Sequence, residues 1–239
     1  SNQHNERVVF NGEFRVSQEF SPELWNPVTG EIRYLPDFKS KEGYISLPVE
    51  LEGNESAFIV FRKNNKLTET KDNFPQKVTV CKINTPWRIT FEAGKRGPET
   101  PVVWSQLKDW MNSENDSIKY FSGQAVYETT FTLEKLPQKN LYIDLGNVMV
   151  MAKVTLNGQY VGGVWTFPYR LNVTGYLKEG ENKLEITVVN NWQNRLIGDQ
   201  RFPEDQRLTW TTINPWKADS SLQSSGLLGP VEIQAFDYK

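Results

Sequence analysis

Apolar and polar residues alternate along much of the second half of this chain, and this period of two restricts its fold more than any other feature. Residues 127–133, 141–145, 148–156 and 184–188 all show the alternation expected of half-buried strands, and in the third of these runs five alternate residues share one continuous face. Asn157-Gly158 follows one such run and is typical of a type I′ hairpin turn. Seven or eight strands with short turns and almost no helix predict an all-β fold, an antiparallel sandwich of the jelly-roll type.

The first third of the chain predicts a smaller, separate β-sandwich. Residues 45–51 alternate, and Pro48 among them indicates an edge strand or a strand with one free side. Residues 57–61 are almost continuously apolar, as expected for an inner strand. Asn26-Pro27 and Thr29-Gly30 mark a tight reversal between two further strands.

A loss of alternation over residues 63–76 indicates a long exposed loop or a linker. The strand pattern resumes at residues 78–80 or, more clearly, at residues 87–91. We therefore expect two antiparallel sandwiches with a boundary near residue 84: a small accessory sandwich over 1–84 and a jelly roll over 85–239. Within the second, residues 105–111 read as a short helix that begins with a Ser cap.

Charge and composition exclude several classes of partner. The formal net charge is −2 with a pI of about 5.7, which argues against nucleic acid or an anionic membrane. No apolar run approaches the roughly 18 residues of a membrane span, and no secretion-signal pattern is present. Cys81 is the single cysteine, so no internal disulfide can form, and its strand-like surroundings predict a buried, inert thiol.

The histidine content limits the enzyme chemistry that the chain could perform. His4 is the single histidine and lies in a polar N-terminal tail, so a held imidazole relay or a zinc site of several His or Cys ligands is excluded. Carboxylates remain, and Asp199, Glu204 and Asp205 lie close together in sequence. A glycosidase needs two carboxyl groups across a sugar cleft. The alternative, which we favour, is that these acids form turns and pair with the neighbouring arginines Arg195, Arg201 and Arg207.

Calcium is the other use of such acids, because loops of sandwich proteins bind it through carboxylate and carbonyl oxygens. The candidate residues are Asp109, Glu114, Asp116 and Asp205. Their spacing does not match a DxDxDG-like loop, so no metal ligand is assigned and no cofactor is expected beyond an optional structural calcium ion.

The densest group of polar recognition residues follows the strand that ends near residue 189. Asn191, Trp192, Arg195 and Asp199 combine an amide, an indole, a guanidinium and a carboxylate. An indole stacks on a pyranose face, and the other three groups hydrogen-bond hydroxyls. Trp165 and Tyr169 follow another strand, and together the six residues form the candidate carbohydrate site. The alternative is a corner that satisfies its own backbone and packs on a neighbouring domain.

The irregular segment over residues 200–225 is long, polar and aromatic, with Trp210 and Trp216 in it. Ordering such a segment costs entropy, so it is usually functional or packed against something.

A set of short motifs gives the chain a family resemblance. In order, they are Phe121-Ser122-Gly123-Gln124-Ala125-Val126-Tyr127-Glu128, Asp144-Leu145-Gly146, Leu156-Asn157-Gly158, Trp165-Thr166-Phe167-Pro168-Tyr169, Asn194-Arg195-Leu196-Ile197-Gly198-Asp199 and Ser225-Gly226-Leu227-Leu228-Gly229-Pro230-Val231. Together they resemble the C-terminal jelly roll of α-L-rhamnosidases of glycoside hydrolase family 106. They resemble more loosely the galactose-binding-like, sugar-binding sandwich of glycoside hydrolase family 2. Upstream, residues 23–32 and 56–61 resemble the small sandwich that precedes that jelly roll.

The resemblance implies a non-catalytic C-terminal portion of a secreted bacterial enzyme, located in the periplasm or at the cell surface. In that family the catalytic carboxylates lie on an N-terminal barrel, so we expect this chain alone to be inactive. The expected partners are the catalytic domain of the same polypeptide and carbohydrate. Arg195 and Asp199 then have two alternative roles: binding sugar, or facing the barrel. A stand-alone carbohydrate-binding module and a purely structural packing module are the further alternatives.

Overall fold

The computed structural model describes residues 1–63 and 72–237, and it confirms the antiparallel all-β class. The chain folds as two compact units. The first contains residues 1–78 and the end of the chain from Ala235, and the second contains Thr79–Gln234. The described strands up to residue 82 are β1 (Val8–Arg15), β2 (Ser21–Trp25), β3 (Ile32–Tyr34), β4 (Lys39–Lys41), β5 (Tyr44–Leu51), β6 (Phe58–Arg62) and β7 (Gln76–Lys82). The predicted boundary near residue 84 stays a prediction.

The remaining described elements are again almost all strands. The strands are β8 (Trp87–Phe91), β9 (Val102–Trp104), β10 (Gln124–Leu133), β11 (Asn140–Asp144), β12 (Asn147–Met149), β13 (Met151–Leu156), β14 (Gln159–Val164), β15 (Arg170–Asn172), β16 (Gly180–Val189), β17 (Gly226–Gly229) and β18 (Glu232–Asp237). The helices are α1 (Asp116–Lys119) and α2 (Gln193–Asp199), with 3-10 turns at Trp110–Asn112 and Glu204–Gln206.

The described part of the first unit contains two three-stranded sheets, in the orders β1-β5-β4 and β3-β2-β6. The core of this unit is formed by Leu24, Leu35, Ile45, Leu47, Val49 and Leu51. The last four are alternate residues of β5, so they share the face of that strand that lines the core. Pro48 pairs with Asn11 of β1, whereas β4 reaches only residues 44–46 of β5. Pro48 therefore lies where the described part of β5 has one free side, which confirms the second of the two alternatives for this proline.

Two sequence predictions for the strands are wrong. In the described residues β6 is an edge of its sheet and Phe58 is 61% exposed, so the apolar run at residues 57–61 does not mark an inner strand. The continuous face expected over residues 148–156 is split into β12 and β13. Val150 lies between them and is partly exposed, because the chain passes there from one sheet to another.

The second unit is built on the six-stranded sheet β14-β13-β16-β10-β8-β9, with smaller sheets β15-β11-β18-β7 and β12-β17. β10 and β16 pair along their full lengths, from Gln124 opposite Val189 to Leu133 opposite Gly180. The predicted hairpin at Asn157-Gly158 is confirmed: both residues have positive φ, 52° and 79°, as a type I′ turn requires. Because β10 and β16 are antiparallel, the end of β16 lies beside the start of β10. The polar candidate residues of the predicted site begin just after this end of β16.

Two local predictions for the second unit also need correction. The helix expected over residues 105–111 is a single 3-10 turn at Trp110–Asn112, which Asp109 caps by accepting a hydrogen bond from the Met111 N–H. Trp110 is fully buried, so packing of its indole decides the backbone here. The second correction concerns Cys81 on β7, which the sequence predicts to be buried and which is only half-buried. This partial burial raises the pKa of its thiol.

Candidate functional site

The polar run after β16 forms the short helix α2, which sequence analysis did not predict. Its buried residues are Asn194, Arg195, Ile197, Gly198 and Asp199, so the helix turns most of its polar side chains inward. The packing at position 198 requires a glycine, because a Cβ there would lie only 2.7 Å from both Arg195 Nη2 and the Tyr120 side chain. α2 is therefore a packed element, and its chemistry is directed toward neighbouring chain segments.

Arg195 and Asp199 form a buried ion pair, with 3.0 Å between Nε and Oδ1. Arg96 adds a second guanidinium 3.7 Å from the same carboxylate oxygen. Desolvation by burial lowers the pKa of Arg195, and the charge of Arg96 lowers it further, whereas Asp199 raises it. Asp199 is only 1% exposed, so this buried carboxylate compensates two cations, the buried Arg195 and the half-buried Arg96.

The other oxygen of Asp199 holds a distant part of the chain. Oδ2 accepts hydrogen bonds from the backbone N–H of Leu208 (3.1 Å), the backbone N–H of Thr209 (2.9 Å) and the Thr209 hydroxyl (2.7 Å). Charge-assisted bonds of this kind are among the stronger ones in proteins. The carboxylate is thus fully engaged inside the chain and is not presented to a ligand in solution.

Asn194 of α2 fixes the chain again near residue 223. Its amide nitrogen donates to the Gln223 carbonyl (2.6 Å), and its oxygen accepts from the Gln223 N–H (2.8 Å). The same nitrogen lies 3.1 Å from the Ser225 hydroxyl. Asn194 is fully buried. We call residues 208–223 the anchored segment, because α2 binds both of its ends.

The anchored segment carries highly exposed apolar side chains. Trp210 and Ile213 are each 80% exposed, and Leu208 is 44% exposed. The backbone beyond Trp210 is also tied locally: the Thr211 hydroxyl donates to the Ile213 carbonyl, and Asn214 Oδ1 accepts from the Trp216 N–H. A segment with fixed ends and fixed turns thus presents an indole to solvent.

The other candidate residues lie in different surroundings. Trp165 and Trp192 are exposed, at 66% and 64%. Asn191 is exposed and donates to Gln223 Oε1 at 2.9 Å. Tyr169 is half-buried with its ring edge against Phe167, and desolvation raises the pKa of its hydroxyl. Within the described residues, no hydrogen bond or ring contact joins Trp165 or Tyr169 to α2.

Sequence analysis missed two structural asparagines and the anchoring role of Asp199. Asn190 is buried and donates to the Phe121 carbonyl at 2.8 Å, while its oxygen accepts from the Gly123 N–H at 3.0 Å. Asn194 performs the same kind of backbone pairing. The available signal was the density of Asn residues directly after a strand, since Asn amides often pair with backbone groups.

The remaining carboxylates have ordinary roles. Asp109 accepts from the Ser225 N–H, and Asp116 pairs with Arg201 at 2.6 Å. Glu204 and Asp205 lie exposed on a 3-10 turn, whereas Asp199 is buried, so they do not share an open cleft with it. In residues 1–63 and 72–237, no three His, Cys, Asp or Glu side chains converge as a metal site would require. The same residues include no helix that is long and apolar enough to cross a membrane.

Comparisons with known proteins agree with the fold of the second unit. Residues 104–221 match the family model described as the glycosyl hydrolase 2 galactose-binding domain-like family. The chain is 43% identical over 158 residues to a putative beta-glucuronidase of Formosa agariphila, a match that covers 55% of this chain and 14% of that protein. It is 34% identical in sequence to a rhamnosidase structure from Novosphingobium sp. PP1Y, with a TM-score of 0.82 over 97% of this chain and 22% of that one.

This chain thus spans less than a quarter of the length of either relative. The family match covers β16, α2 and residues 208–221 of the anchored segment, whereas Arg96 and Gln223 of the site lie outside it. Residues 104–221 are therefore similar to the glycosyl hydrolase 2 galactose-binding-like domain, in a chain whose fold is similar to part of a rhamnosidase.

Proposed function

We propose that this chain is a non-catalytic portion of a secreted α-L-rhamnosidase-like glycoside hydrolase of family 106, located C-terminal to a catalytic domain that it supports. One observation carries the proposal: similarity to a rhamnosidase extends over 97% of this chain but only 22% of that protein. The rest of such an enzyme has room for a catalytic domain. Export to the periplasm or cell surface is part of the proposal, because polymeric glycans are degraded outside the cytoplasm.

The carboxylates of the described chain support a non-catalytic role. A glycosidase acid and its partner must both reach the scissile bond of a sugar. Asp199 instead compensates Arg195 and Arg96 and holds two backbone N–H groups, with 1% of its surface exposed. The isolated chain should therefore have no hydrolytic activity.

An apolar row in the first unit supports a packing role. Trp25 of β2 lies opposite Ile32 of β3 and Phe58 of β6, so the three side chains share one face of their sheet. Ile32 is 53% exposed and Phe58 is 61% exposed. Exposed apolar rows of this kind often mark surfaces that another domain or protein covers.

The test compares the isolated chain with the longer polypeptide that carries it. Purified chain incubated with aryl α-L-rhamnoside and a panel of other aryl glycosides should show only background release. The longer polypeptide should hydrolyse the rhamnoside, and Phe58→Ser with Ile32→Ser should lower its Tm more than Tyr160→Ser at another exposed site. Turnover by the isolated chain that Asp199→Asn or Glu204→Gln abolishes would refute the proposal, and so would an inactive longer polypeptide.

A carbohydrate-binding role for the galactose-binding-like domain is the second candidate function. The family name of residues 104–221 and the exposed indoles of Trp165, Trp192 and Trp210 favour it. Such a role is compatible with the packing role, since the two concern different surfaces.

A further inference from the structure

Contacts within the folded chain already restrict the conformational freedom of the anchored segment before any ligand binds. α2 uses two almost fully buried side chains, Asp199 and Asn194, to hold residues 208–209 and 223. Arg96 adds a hydrogen bond to the Gln206 carbonyl just before the segment. Rigid presentation of a surface reduces the entropy lost on binding, so prearranged segments are typical of ligand sites.

The part of the anchored segment around Trp210 is uncharged. Residues 208–216 include no Asp, Glu, Lys, Arg or His, although charged residues make up 23% of the chain. Trp210 offers an indole that is 80% exposed, and Thr212 beside it is an exposed hydroxyl. A flat aromatic face with hydroxyl and amide neighbours matches the apolar face and hydroxyl rim of an uncharged pyranose.

We propose that Trp210 is the stacking platform of a binding site for neutral carbohydrate, and that Asp199 and Asn194 are its positioning residues. The site differs from the one expected around Trp165 and Trp192. Trp210 directly follows Thr209, whose N–H and hydroxyl both bind Asp199, so its backbone position is fixed from the buried side. The proposal rests on the second candidate function, carbohydrate binding, and is independent of whether a longer polypeptide hydrolyses rhamnosides.

The exposed face of Trp210 can be observed directly by fluorine NMR. The full chain labelled with 5-fluorotryptophan has eight tryptophans, and Trp210→Phe assigns one resonance. The probes are methyl α-L-rhamnopyranoside and methyl β-D-galactopyranoside, with methyl β-D-glucuronide as a charged comparator. We expect the Trp210 resonance to shift with a Kd of about 0.1–1 mM for a neutral probe. Binding of the charged comparator should be roughly tenfold weaker, because residues 208–216 around Trp210 include no cation to pair with its carboxylate.

Matched variants separate this site from the other exposed indoles. Trp210→Ala should weaken binding at least about tenfold, whereas Trp165→Ala and Trp192→Ala should stay within about twofold of the parent chain. Thr209→Val removes one donor to Asp199 but keeps both backbone donors. It should weaken binding about threefold with an unchanged far-UV CD spectrum, as expected of loosened positioning without loss of the fold.

Several outcomes would overturn the proposal. One is the absence of any Trp210 shift with either neutral probe at about 50 mM, a concentration well above the expected Kd. Another is a shift confined to Trp165 or Trp192. Unchanged sugar binding by Trp210→Ala would also exclude the site. If that variant instead lost self-association of the chain while its sugar binding stayed the same, Trp210 would belong to a contact between copies of the chain. Stronger binding of the glucuronide than of both neutral sugars would refute the neutral chemistry. None of these results depends on hydrolytic activity, so they leave the proposed non-catalytic packing role in a glycoside hydrolase untouched.

Discussion

At the scale of single residues, the second unit contains buried polar groups that pair with one another. Trp110 donates its indole N–H to the Tyr127 hydroxyl at 2.7 Å, and the Leu227 N–H reaches the same oxygen at 3.2 Å. Burial raises the pKa of Tyr127 far above its ordinary range, so the phenol stays neutral. Asp199 is paired as well, but through charge: Oδ2 accepts three hydrogen bonds, and Oδ1 faces the guanidinium groups of Arg195 and Arg96.

Asp199→Asn tests the buried ion cluster. Asparagine has nearly the same shape, but it removes the charge that compensates Arg195 and turns an N–H₂ group toward one set of donors. We expect a loss of about 3 kcal/mol in the free energy of unfolding, measured by urea denaturation, because breaking a buried pair leaves an uncompensated cation. Asp116→Asn, which breaks the exposed pair with Arg201, is the control and should leave the urea midpoint unchanged. Equal effects of the two changes would contradict the buried-cluster account.

At the scale of elements, α2 works as a clamp. It is only seven residues long and has no side-chain N-cap, so its stability comes from packing and from its contacts with the anchored segment. Both ends of the segment depend on it, since Asp199 binds residues 208 and 209 and Asn194 binds residue 223. Opening of either end should expose the loop backbone.

Asn194→Ala should make the anchored segment open more often. The change removes the two-way pairing with Gln223 and leaves the Gln223 N–H and carbonyl without that partner. We expect tryptic cleavage at Arg207 or Lys217 to become about tenfold faster, as measured by mass spectrometry of timed digests, because cleavage of an opened segment follows its population. Gln193→Ala removes only one long contact to the Ser221 carbonyl and should behave like the parent chain. Unchanged cleavage in Asn194→Ala would show that the segment is held by other contacts.

At the scale of the whole molecule, the chain divides into two compact units, with a division in sequence between Val78 and Thr79. β7 spans residues 76–82, which confirms that the strand pattern resumes at residues 78–80. In the expected linker over residues 63–76, Lys63 pairs with Glu19 at 2.9 Å, whereas Lys66 and Lys71 lie outside the described residues. The linker prediction therefore needs a solution measurement.

Limited trypsin digestion should cut first at Lys63, Lys66 or Lys71, and the C-terminal product should remain folded. The reason is that a product beginning at residue 72 keeps Thr79–Gln234 whole, including the six-stranded sheet. Urea unfolding of the intact chain should show two transitions, one of them shared with the purified product. A product that starts near residue 85 lacks β7 and serves as the control, with a lower midpoint. One cooperative transition for the intact chain would instead indicate a single fused core.

The sequence by itself determined the parts of this protein that depend on neighbours along the chain. Alternation along β5, β10 and β16 predicted strands and their buried faces, and Asn157-Gly158 predicted its hairpin turn, because side-chain direction and turn geometry are local properties. The same local reasoning gave wrong predictions at Val150 and at residues 105–111, because tertiary packing there overrides the local sequence pattern. Only the tertiary structure decided the role of Asp199. Its partners lie at positions 96, 195, 208 and 209, and the alternation that predicts strands carries no information on which distant charges and amides share one buried volume.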